Sequence, residues 1–475
     1  MPSLASILYA VLLLPRSLVV AQDVVSVCGQ IANAVSDASA VFYSRMYTEL
    51  VAISSWPDVL SGVADPSYLA DIAHYSTSST EDAACSVEPG TPEDVGTIVK
   101  GGGHANNPNF SSSTGVQISM TRFSAIDYDS SAGTVAVGAG NVWDNVYAAL
   151  DPYGVNVVGG RVSGIGVAGF TLGGGYSWLT NQYGLALDSV RAFELVLPNG
   201  TVTNVTASTN PDLFWGLKVR RRGYNNYGVV TTFTLQTYPQ TLVWIIGRTI
   251  DHPGTYIDQV NAATANFAAN VTDPKAQIIA TYDYEGGALL AAVMLFYDAP
   301  TQPAGIFDEF LAIPALSTNI STQIEPTTTS ANTSTLHGDH IPLLETIVAQ
   351  LEVRPPQTSR LILIATQYWG PPSEQLATLL SYDVEPFLPT ILTHGSASAY
   401  PWTRPNASSP STWTSSGRTR SQASVTGAPL YPNYVLYGTS VASIYGESLG
   451  EMVQLKEKYD PHNVMGLTGG WKVPG

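Results

Sequence analysis

Positive charge is scarce in this chain. Asp, Glu, Lys and Arg make up 12% of the residues, and 20 Lys and Arg stand against 37 Asp and Glu, a formal net charge of -17. Holding a nucleic-acid backbone needs clustered Lys and Arg to displace counterions, and the densest basic run is only Arg220, Arg221 and Arg222. A nucleic-acid partner is therefore excluded. Long apolar runs are also missing: beyond Ala21 nothing approaches the roughly 18 consecutive apolar residues of a membrane span, so a soluble mature chain with no membrane partner is expected. Cysteine is nearly absent, Cys28 and Cys85 being the whole supply. With only two cysteines a thiolate metal site is not expected, and no metal is expected. With so few charges the polar surface must rest on Ser, Thr, Asn and Gln, which suits an extracellular protein.

The first segment, Met1 to Ala21, has an apolar core from Ile7 to Leu14 and small or apolar residues before Gln22. It reads as a secretion signal cleaved after Ala21. No Lys or Arg precedes the apolar core and Arg16 follows it, so a buried N-terminal helix is the alternative. The expected location is the secretory pathway or outside the cell. Asn109, Asn199, Asn204, Asn270, Asn319, Asn332 and Asn406 each begin an Asn-x-Ser/Thr sequon and would be glycosylated there. An even cysteine count in a secreted chain reads as one disulfide, and closing the Cys28–Cys85 loop would stabilise by roughly 4 kcal/mol in the chain-entropy model.

A chain of 475 residues suggests two or three domains. Residues 22–75 place Ile31, Ala34, Val35, Ala38, Phe42, Met46 and Leu50 at helical spacing, which predicts a helical N-terminal arm. Over 76–238 the composition turns to Gly and Val, with short strand-like runs at Thr134–Val137, Val155–Val158, Val190–Val196 and Val229–Leu235. Over 239–427 strand-like runs (Leu242–Ile250, Ala276–Tyr282, Ala288–Tyr297, Leu361–Tyr368) alternate with helix-like ones (Tyr256–Ala269, Ser373–Leu380), a second α+β domain. A final segment, 428–475, ends on a helical run from Ser443 to Tyr459, stopped by Asp460-Pro461.

Lys100-Gly101-Gly102-Gly103-His104-Ala105-Asn106 lets successive backbone N–H groups converge with no Cβ in the way, an anion nest suited to a diphosphate. Alone it could equally be a tight turn. A second run, Gly159-Gly160-Arg161-Val162-Ser163-Gly164-Ile165-Gly166-Val167-Ala168-Gly169 followed by Gly173-Gly174-Gly175, continues far past one turn. It is not the strand-turn-helix dinucleotide fingerprint; a backbone running alongside an extended cofactor explains it.

These two segments, with Thr114 to Phe123, Asp212 to Lys218, Tyr431-Pro432-Asn433-Tyr434 and Tyr459 to Leu467, resemble the berberine-bridge-enzyme-like FAD-linked oxidoreductases of fungal type. That family is a branch of the vanillyl-alcohol-oxidase, PCMH-type flavoproteins. The resemblance covers roughly 60–240 and 428–472. It implies an α+β fold: a PCMH-type two-part FAD-binding domain, and an α+β substrate domain with an antiparallel sheet. It implies FAD bonded covalently through His104, with Gly101, Gly102, Gly103, Ala105 and Asn106 over the diphosphate. Gly160, Gly164, Gly166 and Gly169 would line the flavin and its ribityl chain. The family's second, cysteine tether falls on Val162 here, so a single link is expected.

The implied function is oxidation of a small organic metabolite, in natural-product biosynthesis, with O2 as electron acceptor. A secreted carbohydrate oxidase and a non-catalytic flavin-fold glycoprotein are the alternatives. A base near the flavin would take the substrate proton, and the resemblance puts Tyr434 first and Tyr431 second in that role. Four features depart from the family. Pro92-Glu93-Asp94-Val95 reaches Gly101 with no room for a helix and strand; Val219 to Tyr224 carries Arg and Tyr in place of small residues; the segment before Tyr431 is shortened; and Gly438 stands where an acidic partner is usual.

Overall fold

The computed structural model describes Cys28 and residues 40–44, 66–75, 79–92, 99–105, 107, 109–218, 224–250, 256–285, 288–324, 379–392, 394, 431–435 and 438–475. Its first sheet is small and mixed. Strand β1 (Ala40–Ser44) runs antiparallel to β2 (Cys85–Pro89), while β2 and the two-residue β3 (Val99–Lys100) both run parallel to β4 (Val116–Ser119), in the order β1-β2-β4-β3. Helix α1 (Pro66–Ile72) packs on this sheet through the buried Tyr68 and Ile72. The disulfide Cys28–Cys85 forms, with 6.1 Å between Cα atoms, and fastens the N-terminal arm to the start of β2.

The expectation of a helical arm over 22–75 fails at β1. Val41, Phe42 and Tyr43 are β-branched or aromatic, and residues 40–44 are paired along the full length of β2; hydrogen bonds to an existing strand outweigh a helical apolar spacing. Only residues 90–98 join β2 to β3, shorter than the dozen or more residues a helical crossover takes.

The second sheet is antiparallel throughout: β5 (Ile126–Asp129), β6 (Thr134–Gly138), β10 (Val229–Gln236), β8 (Val190–Val196) and β9 (Val202–Thr206), in that spatial order. Its inward side chains, Val135, Val137, Phe193, Leu195 and Phe233, are fully or almost fully buried against helix α2 (Trp143–Leu150). Helix α3 (Val167–Leu172) and helix α4 (Pro211–Lys218) join the same core, and a short antiparallel ladder pairs β7 (Val155–Asn156) with β11 (Tyr238–Pro239).

So does the end of the chain. Met452 and Leu455 of helix α6 (Leu449–Tyr459), and beyond it Met465, Trp471 and Val473, insert into that core. The Asp460 carboxylate receives the Val464 and Met465 N–H groups and pairs with Lys456 at 3.0 Å, both side chains wholly buried. Tyr459 donates its hydroxyl to Asp212 of α4. These bonds give the Tyr459-Asp460-Pro461 motif its work: it pins the C-terminus to α4. The helical run expected from Ser443 is interrupted at Gly446, whose φ of +55° ends one helix before α6 begins.

The third sheet is also antiparallel, in the order β15 (Ser317–Ile324), β12 (Leu242–Ile250), β14 (Ala288–Tyr297), β13 (Ala276–Glu285), β16 (Leu379–Val384). Helix α5 (Ile257–Asn270) covers one face with Val260, Ala263 and Phe267 against Ile278, Val293 and Leu295. The helix-like and strand-like runs expected at 373–380 and 361–368 fall, apart from Leu379 and Leu380 in β16, outside the described residues. The fold is α+β, as the resemblance implies. No described helix is long and apolar enough to cross a membrane.

The stretch 175–185 packs against the third sheet. Trp178 stacks on Phe296 of β14, the Asn181 amide donates to Ala276 O, and Leu388 N–H donates to Asn181 Oδ1.

Candidate active site

The two glycine segments touch. A Cβ on Gly102 would stand 2.5 Å from Gly166 Cα, and one on Gly166 would stand 2.5 Å from Gly102 N. No side chain fits such a gap, so both positions demand glycine for space alone. Gly103 adds a φ of +69°, and a Cβ there would stand 3.2 Å from Ala73 O. Gly101 is in ordinary contact distance of Ala168, and Ala105 follows His104 on the same loop. Gly160 lies on the Trp143 indole, which a Cβ would strike at 2.6 Å. Gly169 differs: its Cβ side faces open space. Asn106 lies outside the described residues, but its neighbour Asn107 donates its amide to Val435 O at 2.8 Å, tying the loop to the C-terminal segment.

His104 sits at the junction. Its ring stacks on Tyr75 with centroids 4.5 Å apart, and a Cβ on Gly164 would come within 3.1 Å of its Nε2. Burial lowers the imidazole to about 4, although the nearby Asp144 carboxylate works in the other direction. At neutral pH the ring is uncharged and keeps a nitrogen lone pair. Asp144, in the first turn of α2, accepts the Gly164 N–H at 2.8 Å and the Ser163 hydroxyl at 2.7 Å.

Tyr431 is buried against the end of the second glycine run. Its phenol oxygen receives the N–H groups of Gly175 and Tyr176 at 3.1 and 3.2 Å and the Asn433 amide at 3.1 Å. Its ring stacks on Tyr176 at 4.0 Å. Burial pushes the phenol up to about 12 against those donors and the Arg161 charge. Tyr434 ends the short 3-10 turn Pro432–Tyr434, and its side chain is outside the described residues.

Arg161 was not singled out by its sequence context, yet it is the one charged side chain in the second glycine run. It reaches 2.8 Å to both carboxylate oxygens of Glu385, just past β16, and lies 5.3 Å over the Trp178 ring. Both partners are buried. The pair joins the glycine run to the third sheet across 224 residues of sequence. The presence of arginine among glycines is a signal in the sequence; its partner is not. Val162, next along, is 44% exposed, and both cysteines of the chain are taken by the disulfide.

Among sequon residues, Asn109, Asn199, Asn204, Asn270 and Asn319 are exposed; Asn332 and Asn406 lie outside the described residues, as do Met1–Ala21 and Arg220–Arg222. No group of His, Cys, Asp and Glu suited to a metal is found among the described residues.

Residues 77–206 match the family described as FAD binding domain. An uncharacterized FAD-linked oxidoreductase of Arthroderma benhamiae is 37% identical over 263 residues, 55% of this chain and 51% of that protein. The FAD-dependent monooxygenase drtC of Aspergillus calidoustus is 34% identical over 271 residues, 53% of this chain and 51% of that one. The chain thus aligns with about half the length of these relatives. The structure of BBE-like 1 from Physcomitrella patens superposes with a TM-score of 0.62 at 18% identity, covering 94% of this chain and 97% of that one. Residues 77–206 are thus similar to FAD binding domains, about half of the chain is similar to FAD-linked oxidoreductases and monooxygenases, and the fold is that of a BBE-like protein. The two facing glycine runs, which admit no Cβ at Gly102 or Gly166, and the uncharged His104 fit FAD.

Proposed function

We propose that this protein is an FAD-dependent oxidoreductase that removes two electrons from a small organic metabolite in natural-product biosynthesis and passes them to O2. The observation that carries the proposal is the crossing of the two glycine runs at Gly102 and Gly166, with His104 at the crossing. FAD supplies the electron-accepting ring, and the chain supplies binding, orientation and proton handling. Gly101, Gly102, Gly103, Ala105 and Asn106 would hold the diphosphate; Gly160, Gly164, Gly166 and Gly169 would lie along the flavin and ribityl chain. His104, neutral at working pH, is the group for a covalent bond to the flavin. A thioether as well is ruled out by chemistry, since no free thiol remains.

Proton removal falls to Tyr434 in this reading. Tyr431 is the second candidate: burial raises its phenol to about 12, while the three N–H donors to its oxygen work in the other direction and also tie it to the Gly175 turn. The disulfide and the five exposed sequons support a secretory route, with the first segment as its signal.

Acid precipitation tests the cofactor reading. Yellow flavin should stay with the pellet in the wild type and be lost in His104→Ala; folded wild-type protein without any flavin would sink the proposal. Tyr434→Phe should keep its flavin and lower kcat by roughly 100-fold or more, the usual cost of losing a general base; an unchanged kcat would remove Tyr434 from the mechanism.

A further inference from the structure

Three contacts around His104 are not explained by core packing. Tyr75 is 65% exposed, yet its ring lies flat against the imidazole, with planes only 18° apart. The Tyr75 N–H donates to Gly103 O at 3.0 Å, so main chain as well as ring locks it to the loop carrying His104. On another side, Gly164, at a φ of +81°, turns its side-chain-free face to the Nε2 edge, where a Cβ would stand 3.1 Å away. That backbone is itself held from behind, because both oxygens of Asp144 are engaged, one by the Gly164 N–H and one by the Ser163 hydroxyl. Ring plane and ring edge are thus fixed by residues on two different segments.

We propose that Tyr75 and Asp144 are positioning residues for the covalent attachment of FAD: Tyr75 sets the plane of the His104 imidazole, and Asp144 sets its depth by holding Gly164 against its edge. The inference rests on the covalent reading of His104 given above. In the bond-forming step one hydrogen of the flavin 8α-methyl group is replaced by an imidazole nitrogen. A C–H and an N–H bond break, a C–N bond forms, and the C–H electron pair passes into the flavin ring. O2 then accepts that pair with the two released protons, leaving as hydrogen peroxide. The attacking lone pair lies in the imidazole plane, so freedom to tilt takes it off the methyl carbon. A displacement of about 1 Å in such a geometry costs on the order of 100-fold in rate.

The test uses full-length protein produced under riboflavin limitation and then given FAD. Total bound flavin is read from the absorbance of the native protein, and attached flavin from the acid-stable fraction sampled over time. Wild type and Tyr75→Phe should attach at the same rate. Tyr75→Ala and Asp144→Asn should bind as much FAD as the wild type and attach it at least roughly tenfold more slowly. The exposure of Tyr75 makes its alanine variant a mild one for folding. Attachment by Tyr75→Ala at the wild-type rate, or equal slowing in Tyr75→Ala and Tyr75→Phe, overturns the positioning role of the ring; wild-type kinetics in Asp144→Asn overturns that of the carboxylate. Acid-stable flavin in His104→Ala, or none in the wild type, overturns the covalent reading itself and takes this inference with it.

Discussion

The second and third sheets of this protein are both antiparallel and five-stranded, yet they are joined to the rest of the chain in opposite ways. Beside the second sheet run backbone segments so close that Gly102 and Gly166 leave no room for one carbon, and Gly160 rests on an indole. The third sheet keeps its backbone apart and fills the space with Ile278, Val293, Leu295 and Phe267; its central glycine, Gly247, faces open space. Close backbone approach suits the binding of an extended cofactor, and side-chain packing suits a wall whose residues can change with the substrate. The difference teaches where substitution is forbidden and where it is free.

The largest effect is expected where the two regions are tied. Glu385→Ala leaves the buried Arg161 guanidinium without the carboxylate whose two oxygens accept from its Nη2, and breaking one partner of a buried pair costs about 3–5 kcal/mol. Thermal denaturation should show it. Arg161→Met with Glu385→Leu removes both charges and should recover most of the loss; a double variant as unstable as the single one would mean that Arg161 matters for its other contacts, such as Trp178.

Glycine replacements sharpen the contrast itself. Gly166→Ala drives a Cβ to 2.5 Å from backbone nitrogen and should destabilise by about 1–3 kcal/mol, as overpacking does. Gly247→Ala meets nothing within 4 Å in the middle of β12 and should stabilise by about 0.5–1 kcal/mol through the unfolded chain. Chemical denaturation midpoints of the two variants should move in opposite directions. Gly169→Ala, also open and inside helix α3, should stabilise the flavin-free chain by about 0.5–1 kcal/mol and yet lower FAD retention, since the space it fills is the space assigned to cofactor.

Much of this contrast was legible in the sequence. Runs of glycine announced the tight region, and Leu242–Ile250 and Ala288–Tyr297, apolar and bounded by polar turns, announced strands β12 and β14 at the positions found. Local pattern failed where a distant partner decided the outcome. Residues 40–44 carry a helical spacing, but β2 offers hydrogen bonds along their whole length. Arg161 sits in the motif that was read, while Glu385 lies in a stretch with no motif, and only folding brings them to 2.8 Å. Tyr75 and Asp144 were equally silent: one is a surface tyrosine by composition, the other an acid at a helix start, and each acquires meaning from His104 and Gly164.

The smallest effect separates the regions by pH. In flavin-free protein His104 is held at about 4 by burial, against an ordinary 6.5 in the unfolded chain. Between those values the unfolded chain takes up a proton that the folded one refuses, so this histidine adds stability in full above pH 6.5 and loses it progressively as the pH falls toward 4. The loss across that window should be on the order of 1–2 kcal/mol after allowance for partial exposure. Denaturant midpoints for wild type and His104→Gln should run parallel above pH 7 and converge or cross below 6, because glutamine has no proton to gain. Asp144→Asn removes the charge that favours the protonated ring, so its window should extend to lower pH. Identical pH profiles for wild type and His104→Gln would mean that the imidazole is open to water, and the crossing of the glycine runs would then be looser than the contact between Gly102 and Gly166 requires.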